Sequence, residues 1–143
     1  MSIETSLRTL LLAQSSITTL APAQTIGGVA FAGVFLDHNA EGFAAPFVTI
    51  TLIDHDPYKR FDGTGGTLRM SEFDIDCYCS NRPASIALAD AVETFLNDYS
   101  GAAGSDTIDA VLFQSKRDDI VYLGDGRDQR HYIRSLSYQI QHR

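Results

Sequence analysis

The chain has 143 residues and a formal net charge of −7, with eight Phe, six Tyr and only two Cys. This length and an apolar content of 44% are typical of a single globular domain with a packed core, and they exclude a disordered chain. We therefore expect residues 1–143 to form one domain. The acid is concentrated between residues 51 and 100, which hold nine acidic and four basic residues. Such a surface repels phosphates, so tight or sequence-specific DNA binding is disfavoured.

Neither a signal peptide nor a membrane span is expected. Arg8 interrupts the apolar region near the start, and the longest other apolar stretch, residues 27–36, has about half the roughly 20 residues that a membrane helix needs. Cys77 and Cys79 are two residues apart, which on a strand places them on one face about 6.5 to 7 Å apart. A disulfide would strain that geometry, so two reduced thiols are expected.

The first part of the chain predicts helix followed by an edge strand. Ser2 suits the N-cap of a first helix. Apolar residues then recur at helical spacing: Ile3, Leu7, Leu10 and Leu11. Residues 15–20 predict another turn, which Pro22 ends, and residues 29–36 predict an edge strand followed by a loop.

Two strands and a long loop are predicted in the middle of the chain. Residues 47–53 alternate β-branched apolar residues with Thr, and residues 68–78 alternate Phe73, Ile75 and Cys77 with acidic side chains. The segment between them, residues 54–67, holds Pro57 and three Gly, and it is too long and too polar for a tight hairpin. We expect it to project as an arm that orders only on contact with a neighbouring subunit or a tube. The arm residues expected to make that contact are Asp56, Tyr58, Lys59, Arg60 and Phe61.

The rest of the chain predicts one more helix and the remaining strands. Asn81 suits the N-cap and Pro83 the first turn of a helix that runs until Gly101. Strands are predicted over residues 107–115, 119–123 and 130–141, with a turn at residues 124–126. The fold class is therefore α+β, a mainly antiparallel β-sheet with two α-helices packed on one face.

Asp54, His55 and Asp56 are the first cluster to consider for catalysis, because an imidazole between carboxylates can act as a base or a metal ligand. Adjacent residues seldom point at one centre, so we interpret them as solvated residues where a strand turns into a loop. The alternative is a small metal-dependent hydrolase or nuclease that uses these three residues and Asp109. No catalytic motif and no phosphate-binding loop occurs, and neither a cofactor nor catalysis is expected.

Glu72, Asp74 and Asp76 form a row of carboxylates on one strand face. Neighbours in such a row are about 6.5 to 7 Å apart, so one cation cannot be held by all three. Two interpretations remain open. The row is either a solvent face with cross-strand Arg partners such as Arg134, or a carboxylate-lined surface in an assembly.

The order of five segments along the chain resembles a known family. These segments are Ile3–Leu11, Pro46–Val48, Phe73–Tyr78, Ala87–Val92 and Tyr132–Tyr138. Their succession resembles the tail completion, or head-to-tail joining, proteins of long-tailed phages, which are related in fold to the lambda-like tail terminator. Residues 22–45 depart from the family pattern because they are longer and richer in glycine.

The resemblance implies a virion protein that assembles in the bacterial cytoplasm as a homo-hexameric ring. The ring would cap the tail tube, join the head connector at the head-proximal end and let DNA pass without specific binding. The carboxylate row Glu72, Asp74 and Asp76 would then line the channel. A head-side adaptor of the same joint is an open alternative, as is a soluble ligand-binding domain. The source, whether phage, prophage or gene transfer agent, is also open.

Overall fold

The computed structural model of the chain describes residues 2–57, 69–122 and 130–143. In these ranges the helices are α1 (Ile3–Leu12), α2 (Ser15–Thr18) and α3 (Arg82–Leu96). The strands are β1 (Gln24–Ile26), β2 (Val29–Phe31), β3 (Val34–Leu36), β4 (Phe47–Pro57), β5 (Arg69–Cys79), β6 (Gly101–Ala103), β7 (Asp106–Tyr122) and β8 (Arg130–His142).

Six of these strands form one sheet in the order β3-β4-β5-β8-β7-β6. Only the β3–β4 pair is parallel among the described strands, and every other neighbouring pair in this sheet is antiparallel. β1 and β2 form a separate hairpin. The mainly antiparallel α+β fold predicted from the sequence is confirmed.

Both long helices pack on the same face of the sheet. Side chains of β5 alternate between faces, and the buried set includes Phe73, Ile75 and Cys77. These join one core cluster with apolar residues of the helices: Ile3, Leu7 and Leu11 of α1, and Leu88, Val92 and Leu96 of α3. We call this side the helix face and the opposite side the open face.

The predicted helix starts are confirmed. The Ser2 hydroxyl accepts a hydrogen bond from the Thr5 N–H, and the Asn81 side chain accepts one from the Ala84 N–H at 2.9 Å. The end of α3 differs from the prediction. The helix stops at Leu96, before Gly101, because Asn97 is extended and Asp98 turns into the left-handed region with φ 61°.

Three strand predictions are corrected. β4 continues through Asp54, His55 and Asp56 to Pro57, because these residues pair with β5 from Arg69 to Glu72. The strands predicted over residues 107–115 and 119–123 are joined, as far as residue 122, in the single strand β7, whose pairing with β8 contains two register shifts. The predicted strand over residues 29–36 is divided into β2 and β3. The predicted turn at residues 124–126 lies outside the described residues.

Cys77 and Cys79 are both free, as expected from their spacing, and both are buried. Burial raises the pKa of Cys77 well above its usual value and raises the pKa of Cys79 to about 11, so both thiols stay protonated. In the described part of the chain, no helix has the length and apolar character that crossing a membrane requires.

Candidate functional site

The predicted carboxylate row lies on the open face, where no helix of the described chain covers the sheet. Glu72, Asp74 and Asp76 alternate along β5 with the buried residues of the helix face. On β4, Asp54 stands directly across from Glu72. The other residues directly across from the row are uncharged and polar: Thr49 and Thr51 on β4, and Ser135, Ser137 and Gln139 on β8. We call this surface, centred on the three carboxylates, the acidic face.

Asp74 is the best-connected carboxylate of the acidic face. The Ser137 hydroxyl donates to its Oδ1 at 2.6 Å, and the Arg117 guanidinium reaches its Oδ2 at 3.8 Å. The Arg117 side chain is 69% exposed, so this ion pair is screened and contributes little to stability.

Asp76 is held in a less favourable environment. Its Oδ1 is buried and has no hydrogen-bond partner among the described residues. Burial raises the pKa of Asp76 and the nearby Asp74 adds to the rise, while a hydrogen bond from Ser135 opposes it. The strand β5 therefore carries, between its buried apolar residues, a carboxyl group whose ionisation is disfavoured.

Arg134, the partner expected for the carboxylate row, lies on the helix face. It pairs across the sheet with Cys77, and the residue opposite a buried side chain shares its face. Its guanidinium donates to both oxygens of Asp118, at 2.7 and 3.0 Å, which lowers the pKa of Asp118. The expected role of Arg134 is wrong, and Arg117 is the arginine that approaches the row.

The residues of the alternative hydrolase do not converge. Asp54, His55 and Asp56 lie on β4, whereas Asp109 lies on β7; two strands separate them, which is about 14 Å at the usual spacing. Asp109 instead pairs with Arg143 at 3.0 Å. Within residues 2–57, 69–122 and 130–143, no three His, Cys, Asp or Glu residues are grouped so that they could hold a metal ion.

The expected contact arm falls mostly outside the described residues. Asp56 belongs to β4 by its backbone, and Tyr58, Lys59, Arg60 and Phe61 lie in the part that the structure does not describe. Their role as subunit or tube contacts stays a prediction.

β7 has an exposed outer edge that the sequence does not predict. β6 pairs with Asp106–Ile108, and beyond that point no described strand lies on the outer side of β7. Five large apolar side chains of this strand are between 40% and 67% exposed: Leu112, Phe113, Ile120, Val121 and Tyr122. In the sequence, this exposed edge is indicated only by the three apolar residues that follow Asp119, Ile120 to Tyr122. By themselves they predict no more than a separate short strand.

Comparison with known proteins finds a similar fold in a solved virion structure. No protein-family model matches the sequence, and no curated protein matches it significantly. Among solved structures, a chain in the virion of a native gene transfer agent particle superposes with a TM-score of 0.67 at 15% identity. The match covers 99% of this chain and 96% of that chain. The two chains therefore share their fold from end to end.

Proposed function

We propose that the protein is a structural subunit of a tailed virion or gene transfer agent particle, and that six copies, the number implied by the family resemblance, form a ring at the head-proximal end of the tail. The ring caps the tail tube and joins it to the head connector. The observation that carries this proposal is the fold shared over nearly the full length with a chain of a gene transfer agent virion. Its partners are other copies of itself, the tail tube protein and the connector proteins.

The two unlike faces of the sheet support a ring with a defined inside. Helices α1 and α3 pack on the helix face, and no described helix packs on the open face. In the proposed ring the layer of helices forms the outer surface. The acidic face then faces the pore.

A pore lined by Glu72, Asp74 and Asp76 suits the passage of DNA. Each subunit contributes a row of carboxylates and hydroxyl groups on the open face. Carboxylates repel the DNA phosphates, so a duplex slides through without being held. This is the opposite of a surface that binds nucleic acid.

The test locates the protein in its particle and counts its copies. We expect an epitope-tagged chain to label the junction of head and tail, and native mass measurement of the junction complex to show a closed ring. Particles without the protein should yield heads and tails that do not join. Labelling of the head interior or the tail tip, or a single copy per particle, would refute the ring.

A further inference from the structure

A groove lies along the outer side of β3, between that strand and the β1–β2 hairpin. Its volume is about 330 Å³. Phe31, Phe35 and Leu36 supply an apolar lining, and Arg8 and His38 add polar groups. Among the described residues Arg8 forms no ion pair, so its positive charge is available to a partner.

The hairpin wall of this groove is fixed in place. The Gln24 amide donates to the Ala44 carbonyl at 2.7 Å and accepts from the Ala44 N–H at 3.1 Å. Gly27 and Gly28 form the turn, both with positive φ. The groove thus belongs to the folded subunit. Apart from Arg8, its lining lies within residues 22–45, the segment that departs from the family pattern.

The end of β7 at the opposite edge of the sheet complements this groove. Its segment Asp118–Tyr122 carries two carboxylates followed by three exposed apolar side chains. Asp118 is already paired with Arg134 and Arg82. Asp119 forms no ion pair with any described residue, which leaves its negative charge to meet the Arg8 of another copy.

The strand register places the β3 edge and the end of β7 at the same level along the strand direction. One residue from each strand lies in a single row across the sheet: Val34, Val48, Cys77, Arg134 and Asp118. A rotation about an axis along the strands therefore brings Asp118 of one copy beside Val34 of the next. β7 runs opposite to β3, so the two strands would meet antiparallel.

Contact at this edge depends on side chains. The Arg8 Nε donates to the Val34 carbonyl at 2.7 Å, and the His38 N–H donates to the Leu36 carbonyl at 2.8 Å. Both carbonyls are therefore engaged, and the edge offers little for main-chain pairing. The groove remains open to side chains.

We infer that the Asp118–Tyr122 segment of one copy docks in the groove between β3 and the β1–β2 hairpin of the next. Ile120, Val121 and Tyr122 supply the apolar contact, and Asp119 meets Arg8. This inference rests on the proposed ring and names the surfaces that close it.

The test cross-links the two surfaces in assembled rings. Ala30 lines the groove and Tyr122 ends β7, and both are exposed, so we choose the double variant Ala30→Cys/Tyr122→Cys. A short bismaleimide should give a ladder of covalent oligomers on a denaturing gel. The native Cys77 and Cys79 are buried and do not react. The matched control is Ala30→Cys/Thr94→Cys, since Thr94 is exposed on α3, which packs over the central strands β5 and β8, away from both edges.

The outcomes separate this inference from the proposed function. A ladder in the first variant and none in the control supports the docking. Intact rings by native mass measurement without a ladder overturn the docking and leave the ring. A protein that is monomeric in its particle overturns both.

Discussion

Asp76 is the residue whose chemistry sets the acidic face apart from an ordinary wet sheet surface. Its pKa is raised by burial, so the ionised form is less stable in the folded protein than in the unfolded chain. The folded protein favours the protonated form of Asp76. The contribution of this form to the free energy of unfolding is fully present below the unfolded pKa of Asp. This contribution is lost as the pH rises through the raised folded pKa of Asp76, because the carboxylate then ionises in its buried site.

A pH titration of stability tests this account of Asp76. We expect Asp76→Asn to raise the urea midpoint at pH 7, because the amide removes the cost of a poorly solvated charge and can still accept from Ser135. The advantage should shrink as the pH falls through the raised folded pKa of Asp76 and should be gone below the unfolded pKa of Asp, near 4. Asp90→Asn, at an exposed position of α3, serves as the matched control and should change little at either pH. A lower midpoint for Asp76→Asn at pH 7 would contradict the proposed environment.

The sheet elements show what a sequence pattern determines and what it leaves open. The alternation of Phe73, Ile75 and Cys77 with carboxylates correctly predicts the faces of β5, and the caps Ser2 and Asn81 correctly predict two helix starts. These signals are local. The sequence does not show that Arg134 lies on the helix face, because the register between β5 and β8 is a long-range property, decided by which strands pair and how.

Strand ends are hard to predict for the same reason. Asp54, His55 and Asp56 are polar and precede Pro57, which favours a loop, yet pairing with β5 keeps them in a strand. The two register shifts in β7 likewise depend on β8 as a template. The candidate site is predictable in part. The carboxylates of the acidic face are visible in the sequence. The groove beside β3 and the exposed end of β7 are not, because they depend on which strands lie at the two edges of the sheet.

The junction of β2 and β3 depends on one close approach. A Cβ built on Gly33 would collide with the Ala21 carbonyl oxygen and would lie 2.9 Å from the carbonyl carbon; both are backbone atoms that a side-chain rotation cannot move. We expect Gly33→Ala to lower the free energy of unfolding by about 1–3 kcal/mol, measured by urea denaturation.

Gly28→Asn provides the matched control for that substitution. A Cβ at Gly28 meets nothing within 4 Å, and Asn tolerates the positive φ better than other residues. Its effect should be smaller than that of Gly33→Ala. Equal losses in the two variants would show that the contact with Ala21 is unimportant.

At the scale of the whole molecule, the proposal turns on the charge of the pore. Replacing Glu72, Asp74 and Asp76 with Gln, Asn and Asn preserves their shapes and removes three negative charges from each subunit. If the acidic face lines the pore, DNA should adhere to the ring, and release of DNA from the particle should slow. The measurement is the rate of DNA ejection or transfer as a function of salt.

A control on the outer surface isolates the effect of the pore. Asp90 lies on α3 and Asp98 lies two residues beyond its end; both are exposed on the side that the proposed ring turns outward. Replacing both with Asn, which also tolerates the positive φ of Asp98, should leave the ejection rate unchanged. Rings of normal mass with an unchanged ejection rate in the triple variant would argue against the acidic face as the lumen.

The outer edge of β7 also governs how a newly made subunit behaves before it meets its neighbours. A long bare strand invites indiscriminate stacking into fibrils. Here four consecutive charges, Lys116 to Asp119, interrupt the apolar residues, and two register shifts make the pairing of β7 with β8 irregular. We therefore expect the unassembled chain to resist indiscriminate strand stacking, and the exposed end of β7 to stay available for the proposed contact with a second copy.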